Sequence, residues 1–171
     1  MEIPRVSKQP PSHDDIGAAG AEFRTQAYLD QVKAVIRDNG WAMQVVPVFS
    51  GEDYQFTYVY TIGLIERKCT AELMIVGLPY RQGAEILNQI AMNMVNQLQL
   101  IPPDEWPLAD GFALKSKVFI PRVGGELHVG VARAYYGRDV MIAQYVWPDE
   151  NHHYPWDEDW DRGLVQPVGN R

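Results

Sequence analysis

Apolar residues recur along this chain in two rhythms, and each change of rhythm marks a new element. From Glu22, the residues Phe23, Ala27, Tyr28, Val32, Val35 and Ile36 fall three or four positions apart. That spacing predicts an amphipathic helix, closed by the left-handed stop Asn39-Gly40. Residues 41–49 switch to a period of two, with Trp41, Met43 and Val45 on one face, and Gly51-Glu52-Asp53 signals a turn. Residues 54–64 alternate strongly, with Tyr54, Phe56, Tyr58, Tyr60 and Ile62 on one face and Gln55, Thr57 and Thr61 on the other. The two segments predict an antiparallel hairpin. Residues 73–76 are wholly apolar, the mark of a strand buried on both faces.

Pro79 then breaks the chain ahead of a second helix, whose stripe is Ile86, Leu87, Ile90, Ala91, Met94, Val95 and Leu98, with Ile101-Pro102-Pro103 beyond it as the stop. Residues 112–120 and 140–147 read as further strands, while 128–136 fit either a strand or a short helix. Residues 1–19 hold Pro4, Pro10, Pro11, Ser12 and Gly17 with few large apolar groups, so a flexible arm is expected there. The expected organisation is therefore an arm (1–19), a single domain (20–163) and a C-terminal tail (164–171). Its fold class is α+β: a largely antiparallel β-sheet with two packed helices and an aromatic, acidic C-terminal segment.

Composition changes this picture little. The chain has 171 residues, 46% of them hydrophobic and 22% charged, which suits one globular domain with a sizeable core. A formal net charge of −7 repels phosphate backbones and anionic lipid, so neither nucleic acid nor membrane is an expected partner. Cys69 is the single cysteine, no signal-peptide-like segment is apparent, and no run of about 18 apolar residues occurs. A cytoplasmic location is expected.

The order of several short blocks resembles a bacterial family described as domain of unknown function 4262. The blocks are residues 40–46 (GWAMQVV), Tyr60-Thr61-Ile62-Gly63-Leu64, Ala71-Glu72-Leu73 ahead of Gly77-Leu78-Pro79, and Leu87-Asn88. Tyr135-Tyr136-Gly137, residues 144–149 (QYVWPD) and Pro155-Trp156-Asp157 complete the set. The resemblance covers roughly residues 38–157 and implies a compact cytoplasmic bacterial domain. It brings no activity with it. Members usually carry a His-Pro pair just before Glu-Leu, whereas here Thr70-Ala71 precede Glu72-Leu73, so any chemistry of that histidine is missing from this chain.

Candidate chemistry concentrates near the C-terminus. His152 and His153, with Asp157 or Asp149, are potential metal ligands, and His128 is a more remote one. Adjacent histidines on extended chain point opposite ways, so a solvated acidic loop is the plainer account. Asp157-x-Asp159-x-Asp161 begins like a calcium loop, but Val168 stands where that loop needs a carboxylate. Trp147, Trp156 and Trp160 could line a pocket, or anchor the tail on the sheet. Tyr58, Tyr60 and Thr61 beside Gly63 offer hydroxyls near a permissive backbone, though a tyrosine row is more often cross-strand packing. Asn88 suits helix packing. Arg67 and Lys68 could lower the pKa of Cys69, but nothing else supports a nucleophile there. Gly17-Ala18-Ala19-Gly20 and Gly124-Gly125 lack the strand–helix context of a nucleotide loop.

Two functional classes follow. The first is a non-enzymatic domain binding a small ligand or a protein between the tyrosine strand and the tryptophan tail, through Tyr58, Tyr60, Thr61, Trp147, Asp149 and Trp156. The second is a metal-dependent hydrolase built on His152, His153 and nearby carboxylates. No residue specifies a cofactor, and a flavin is only permitted by the architecture. A homodimer through a sheet edge or the tail is left open.

Overall fold

The computed structural model describes residues 18–169, so most of the expected N-terminal arm lies outside the described residues. Helix α1 spans Ala18–Asn39 and ends where Gly40, at φ +95°, donates its amide to the Ile36 carbonyl at 2.7 Å. A Cβ on Gly40 would only push aside the flexible Arg67 guanidinium 2.6 Å away, so it is the positive φ that calls for glycine at position 40. Strands β1 (Ala42–Ser50) and β2 (Asp53–Ile62) form the expected hairpin, with a bulge between Val48 and Phe49. A single 3₁₀ turn, Ile65–Arg67, leads to β3 (Glu72–Val76). Helix α2 (Tyr80–Asn96), β4 (Glu105–Pro107), β5 (Ala113–Phe119), α3 (Gly130–Tyr136) and β6 (Ile142–Val146) complete the domain.

The six strands lie in the order β1-β2-β3-β6-β5-β4. Every neighbouring pair is antiparallel except β3 with β6. The architecture is α+β, as the alternation predicts. The helices do not pack on one another as a single layer. Tyr28, Val32 and Ile36 of α1 and Ala132 of α3 cover the sheet face that carries Phe56, Tyr58, Tyr60, Met74 and Val76. Ala84, Leu87, Ile90, Ala91 and Met94 of α2 cover the opposite face, with Met43, Val59, Leu73 and Ile75. Residues 73–76 are thus buried on both sides, and each such side chain contributes about 1.5–3 kcal/mol.

One open alternative resolves and one expectation needs correction. The segment 128–136 contains the helix α3 and no strand, because Gly137 at φ +65° closes a turn that α1 packs beside. Leu98 is not part of the α2 stripe: the helix ends at Asn96, and Leu98 adopts φ +54° with 81% of its surface exposed. Among the described residues, no helix is long and apolar enough to cross a membrane.

Candidate functional site

Three segments far apart in sequence meet where β2 ends and β3 begins. Glu72, the first residue of β3, is fully buried. Its Oε1 accepts the amides of Gly63 at 3.0 Å and Ile65 at 3.1 Å, and the Tyr136 hydroxyl at 2.5 Å. Its Oε2 lies 2.6 Å from Thr61 Oγ1, which itself accepts the Leu73 amide at 2.8 Å. Burial raises the Glu72 carboxyl above its ordinary pKa, and the four bonds pull it back only in part. Among the described residues no cation pairs with it. The Tyr136 hydroxyl is pushed up as well, by burial and by Glu72 beside it. A carboxyl and a phenol, both reluctant to ionise, tie α3 to the turn that follows β2. Tyr135 extends the tie by donating to Glu66 at 2.7 Å.

This turn forms one wall of a cavity of about 610 Å³, which also reaches Ile36 and Gly40 at the end of α1 and Met94 and Leu98 at the end of α2. Cys69 lines it too. The neighbouring charges of Arg67 and Lys68 do not lower the pKa of this thiol below its ordinary value. Burial raises its pKa, Glu72 adds to the rise, and Arg67 opposes it only in part.

At the opposite end of β3 the chain beyond β6 folds back on the sheet. Trp147 donates its indole N–H to the Val76 carbonyl at 2.8 Å. Its backbone exchanges two 2.9 Å bonds with the Gln166 side chain. Gly77, at φ +84°, leaves no room for a side chain, since a Cβ there would sit 2.4 Å from the Val165 carbonyl oxygen. Gln144, buried in the middle of β6, donates to the Pro167 carbonyl at 2.7 Å and accepts the Gly169 amide at 2.8 Å. Asp149 organises the loop: its carboxylate accepts the amides of Asn151, His153 and Asp161 at 2.9, 2.9 and 3.1 Å. Burial works against its charge, but these amides and nearby His153 outweigh it and lower its pKa.

Between the tail and β5 an aromatic shelf stays open. The rings of Tyr154 and Trp156 stack in parallel 5.0 Å apart, with Lys115 4.2 Å above the first and Lys117 4.5 Å above the second. Trp156 is 41% exposed and borders a second cavity of about 610 Å³, together with Asp104, Ser116, Lys117 and Val168.

The structure therefore divides the residues singled out in the sequence. Tyr58 and Tyr60 lie buried under α1 and α3, where Tyr58 donates to the His128 carbonyl at 2.7 Å and the Tyr60 hydroxyl meets the backbone of Val131 and Ala132. Burial raises both phenols. Thr61 is bound to Glu72. Trp147 packs against the α2-side core and Asp149 holds the tail, so neither meets the two tyrosines across the sheet. Of the six, Trp156 borders the cavity between the tail and β5. His152, at φ +67°, stacks on Phe112 with 4.1 Å between ring centres, while His153 Nδ1 lies 3.5 Å from Asp149. Asp157 accepts the Tyr154 amide at 2.7 Å. Among the described residues, no three His, Cys, Asp or Glu side chains gather in a way that could hold a metal. Asn88 is buried on α2 and donates to Met92 Sδ at 3.6 Å.

Sequence reasoning missed Glu72, Tyr136, Gln144 and Gln166 as organising residues. A signal existed for two of them: Glu72 and Gln144 are polar residues set in otherwise apolar strands, and a buried polar group needs partners. Tyr136 and Gln166 carried no such mark.

Neither the curated proteins nor the solved structures provide a match to this sequence. A family model does match, over residues 35–161, and the match takes in Gly63, Glu72, Tyr136 and Asp149 from both ends of the sheet. The chain belongs to the family described as domain of unknown function (DUF4262).

Proposed function

We propose that this protein is a non-enzymatic binding domain whose small-ligand site is the open shelf between β5 and the C-terminal tail. The observation that carries this reading is Trp156, stacked on Tyr154, under Lys117 and beside a cavity of drug-like size. An aromatic pair with lysines above it favours a flat ligand bearing an acidic group. The non-enzymatic half of the reading is supported by how the polar groups are used. Asp149 is saturated by three amides, Asp157 caps a turn, and Thr61 and Glu72 bind each other. Of the original seam, only the tail side stays in the proposal; the tyrosine side is packed beneath helices. A metal-dependent hydrolase on His152 and His153 is the weaker reading, because the two rings have different partners.

The test is native mass spectrometry of gently purified protein beside a Trp156→Ala variant. A retained small molecule that disappears in the variant is the expected result. Bare polypeptide mass in both, or equal retention in both, removes the shelf as the binding site.

A further inference from the structure

At the other end of the sheet, the cavity walled by the 63–69 turn has a composition of its own. Ile36, Met94, Val95, Leu98 and Leu100 give it an apolar body. Leu98 and Leu100 are exposed at 81% and 43%, and neighbouring Ile101 at 67%, so apolar surface continues out of the mouth. The rim is basic. Arg37, Arg67 and Lys68 line it, Arg37 paired with Asp38 at 2.9 Å, against one lining carboxylate, Glu66, which accepts the Tyr135 hydroxyl. Among the described residues neither Arg67 nor Lys68 joins an ion pair, although the chain as a whole carries a net charge of −7. A local excess of cations on an acidic protein selects for an anion.

The backbone supplies an independent indication. Three described non-glycine residues have positive φ, and two of them, Lys68 at +68° and Leu98 at +54°, line this one cavity. Each such conformation costs of order 1 kcal/mol or more and persists only where surrounding structure enforces it. Here the enforcement is visible. The Lys68 amide bonds the Ile65 carbonyl at 3.0 Å, the Gln99 amide bonds Met94 at 2.9 Å, and the Thr70 amide bonds Leu100 at 2.8 Å. These bonds hold Lys68 at the rim and keep Leu98 and Leu100 at the mouth. Arg67 is set by its own 3.1 Å bond to the Gly40 carbonyl.

We infer that this cavity binds a small amphiphilic anion, its acidic head at Lys68 and Arg67 and its hydrocarbon body against Val95, Leu98 and Leu100. A carboxylate and a phosphate monoester share the required chemistry. The site is separate from the Trp156 shelf and stands or falls independently of it.

The experiment titrates the full chain with decanoate, decyl phosphate and decyltrimethylammonium, following methyl resonances of Val95, Leu98 and Leu100 and the indole resonance of Trp156. Saturable binding of decanoate or decyl phosphate, with shifts at the three methyl-bearing residues and none at Trp156, is expected; which head binds more tightly identifies the source of the anion. Lys68→Asn keeps a residue tolerant of positive φ while removing the charge. It should weaken anion binding roughly fivefold, the size of one exposed charge contact, and leave melting unchanged. Leu98→Ser, at an exposed position, should weaken it also. Equal binding of the cationic amphiphile, shifts only at Trp156, or no saturation with either anion overturns the inference.

Discussion

Two buried carboxyl groups hold opposite ends of the same sheet, and their surroundings drive their proton affinities in opposite directions. Glu72 sits at the start of β3 with two amides, one threonine and one tyrosine hydroxyl, and burial raises its pKa. Asp149 sits just beyond β6 with three amides and a histidine, and its pKa is lowered. The number of bonds does not separate them. The difference lies in the partners: Glu72 takes two of its four bonds from hydroxyls and has no cation beside it among the described residues, while Asp149 is held by backbone amides alone with His153 nearby. One end of the molecule is therefore held by a carboxyl whose surroundings favour its protonated form, and the other by a carboxyl whose surroundings favour its charge.

Removing the Glu72 carboxyl should have the largest effect. Glu72→Ala strands the Ile65 amide, leaves the Gly63 amide only the Tyr136 hydroxyl at 2.8 Å, and opens a cavity, and is expected to cost about 3 kcal/mol or more in urea unfolding. Glu72→Gln should cost only about 1 kcal/mol, because its amide can donate to Thr61 while its oxygen keeps the other three donors. If the two substitutions are equally damaging, Glu72 is charged in the folded protein and the contrast between the ends collapses.

Removing the Asp149 carboxyl should act locally. With Asp149→Ala, the amides of Asn151, His153 and Asp161 lose their acceptor, and their hydrogen exchange should accelerate while that of β2 and β3 stays as it was. Acceleration spread over the whole sheet would make the tail part of the core.

The smallest and most specific effect is on pH dependence. The Glu72 pKa is raised on folding, so its contribution is complete below the ordinary glutamate value of about 4.3 and is lost as pH rises through the folded value. The Asp149 pKa is lowered, so its contribution is present above about 3.9 and is lost as pH falls through the folded value. The stability gap between wild type and Glu72→Gln should therefore shrink with rising pH, and that for Asp149→Asn with falling pH. Urea midpoints across the acidic and neutral range give both signs, and matching slopes would refute the assignment.

Much of the frame was legible in the sequence. Period-two alternation placed Phe56, Tyr58, Tyr60 and Ile62 on one face of β2 because a pleated strand has no other way to bury them together. The uninterrupted run in β3 correctly implied cover on both sides. The short strand Glu105–Pro107 escaped notice because three residues cannot display a period. Helix α3 was ambiguous for a related reason: seven residues make two turns, and neighbouring α1 decides their state as much as their own propensity does. Of the residues singled out for a site, Trp156 lies beside an open cavity while Tyr58 and Tyr60 lie under helices, because a strand face can be identified from sequence while the helix that lands on it cannot.

The sequence by itself determined the family, the α+β class, the strand faces and the acidic character, all of which depend on residue type and local spacing. Tertiary structure alone decided that residues 61, 63, 72 and 136 would share one buried hydrogen-bonded hub, that Gln144 and Gln166 would fasten the tail, and that a basic rim would gather around an apolar cavity. Those outcomes depend on which chain ends the parallel β3–β6 pairing brings together and on how deeply each polar group is then withdrawn from water. Neither quantity is a property of any short stretch of chain.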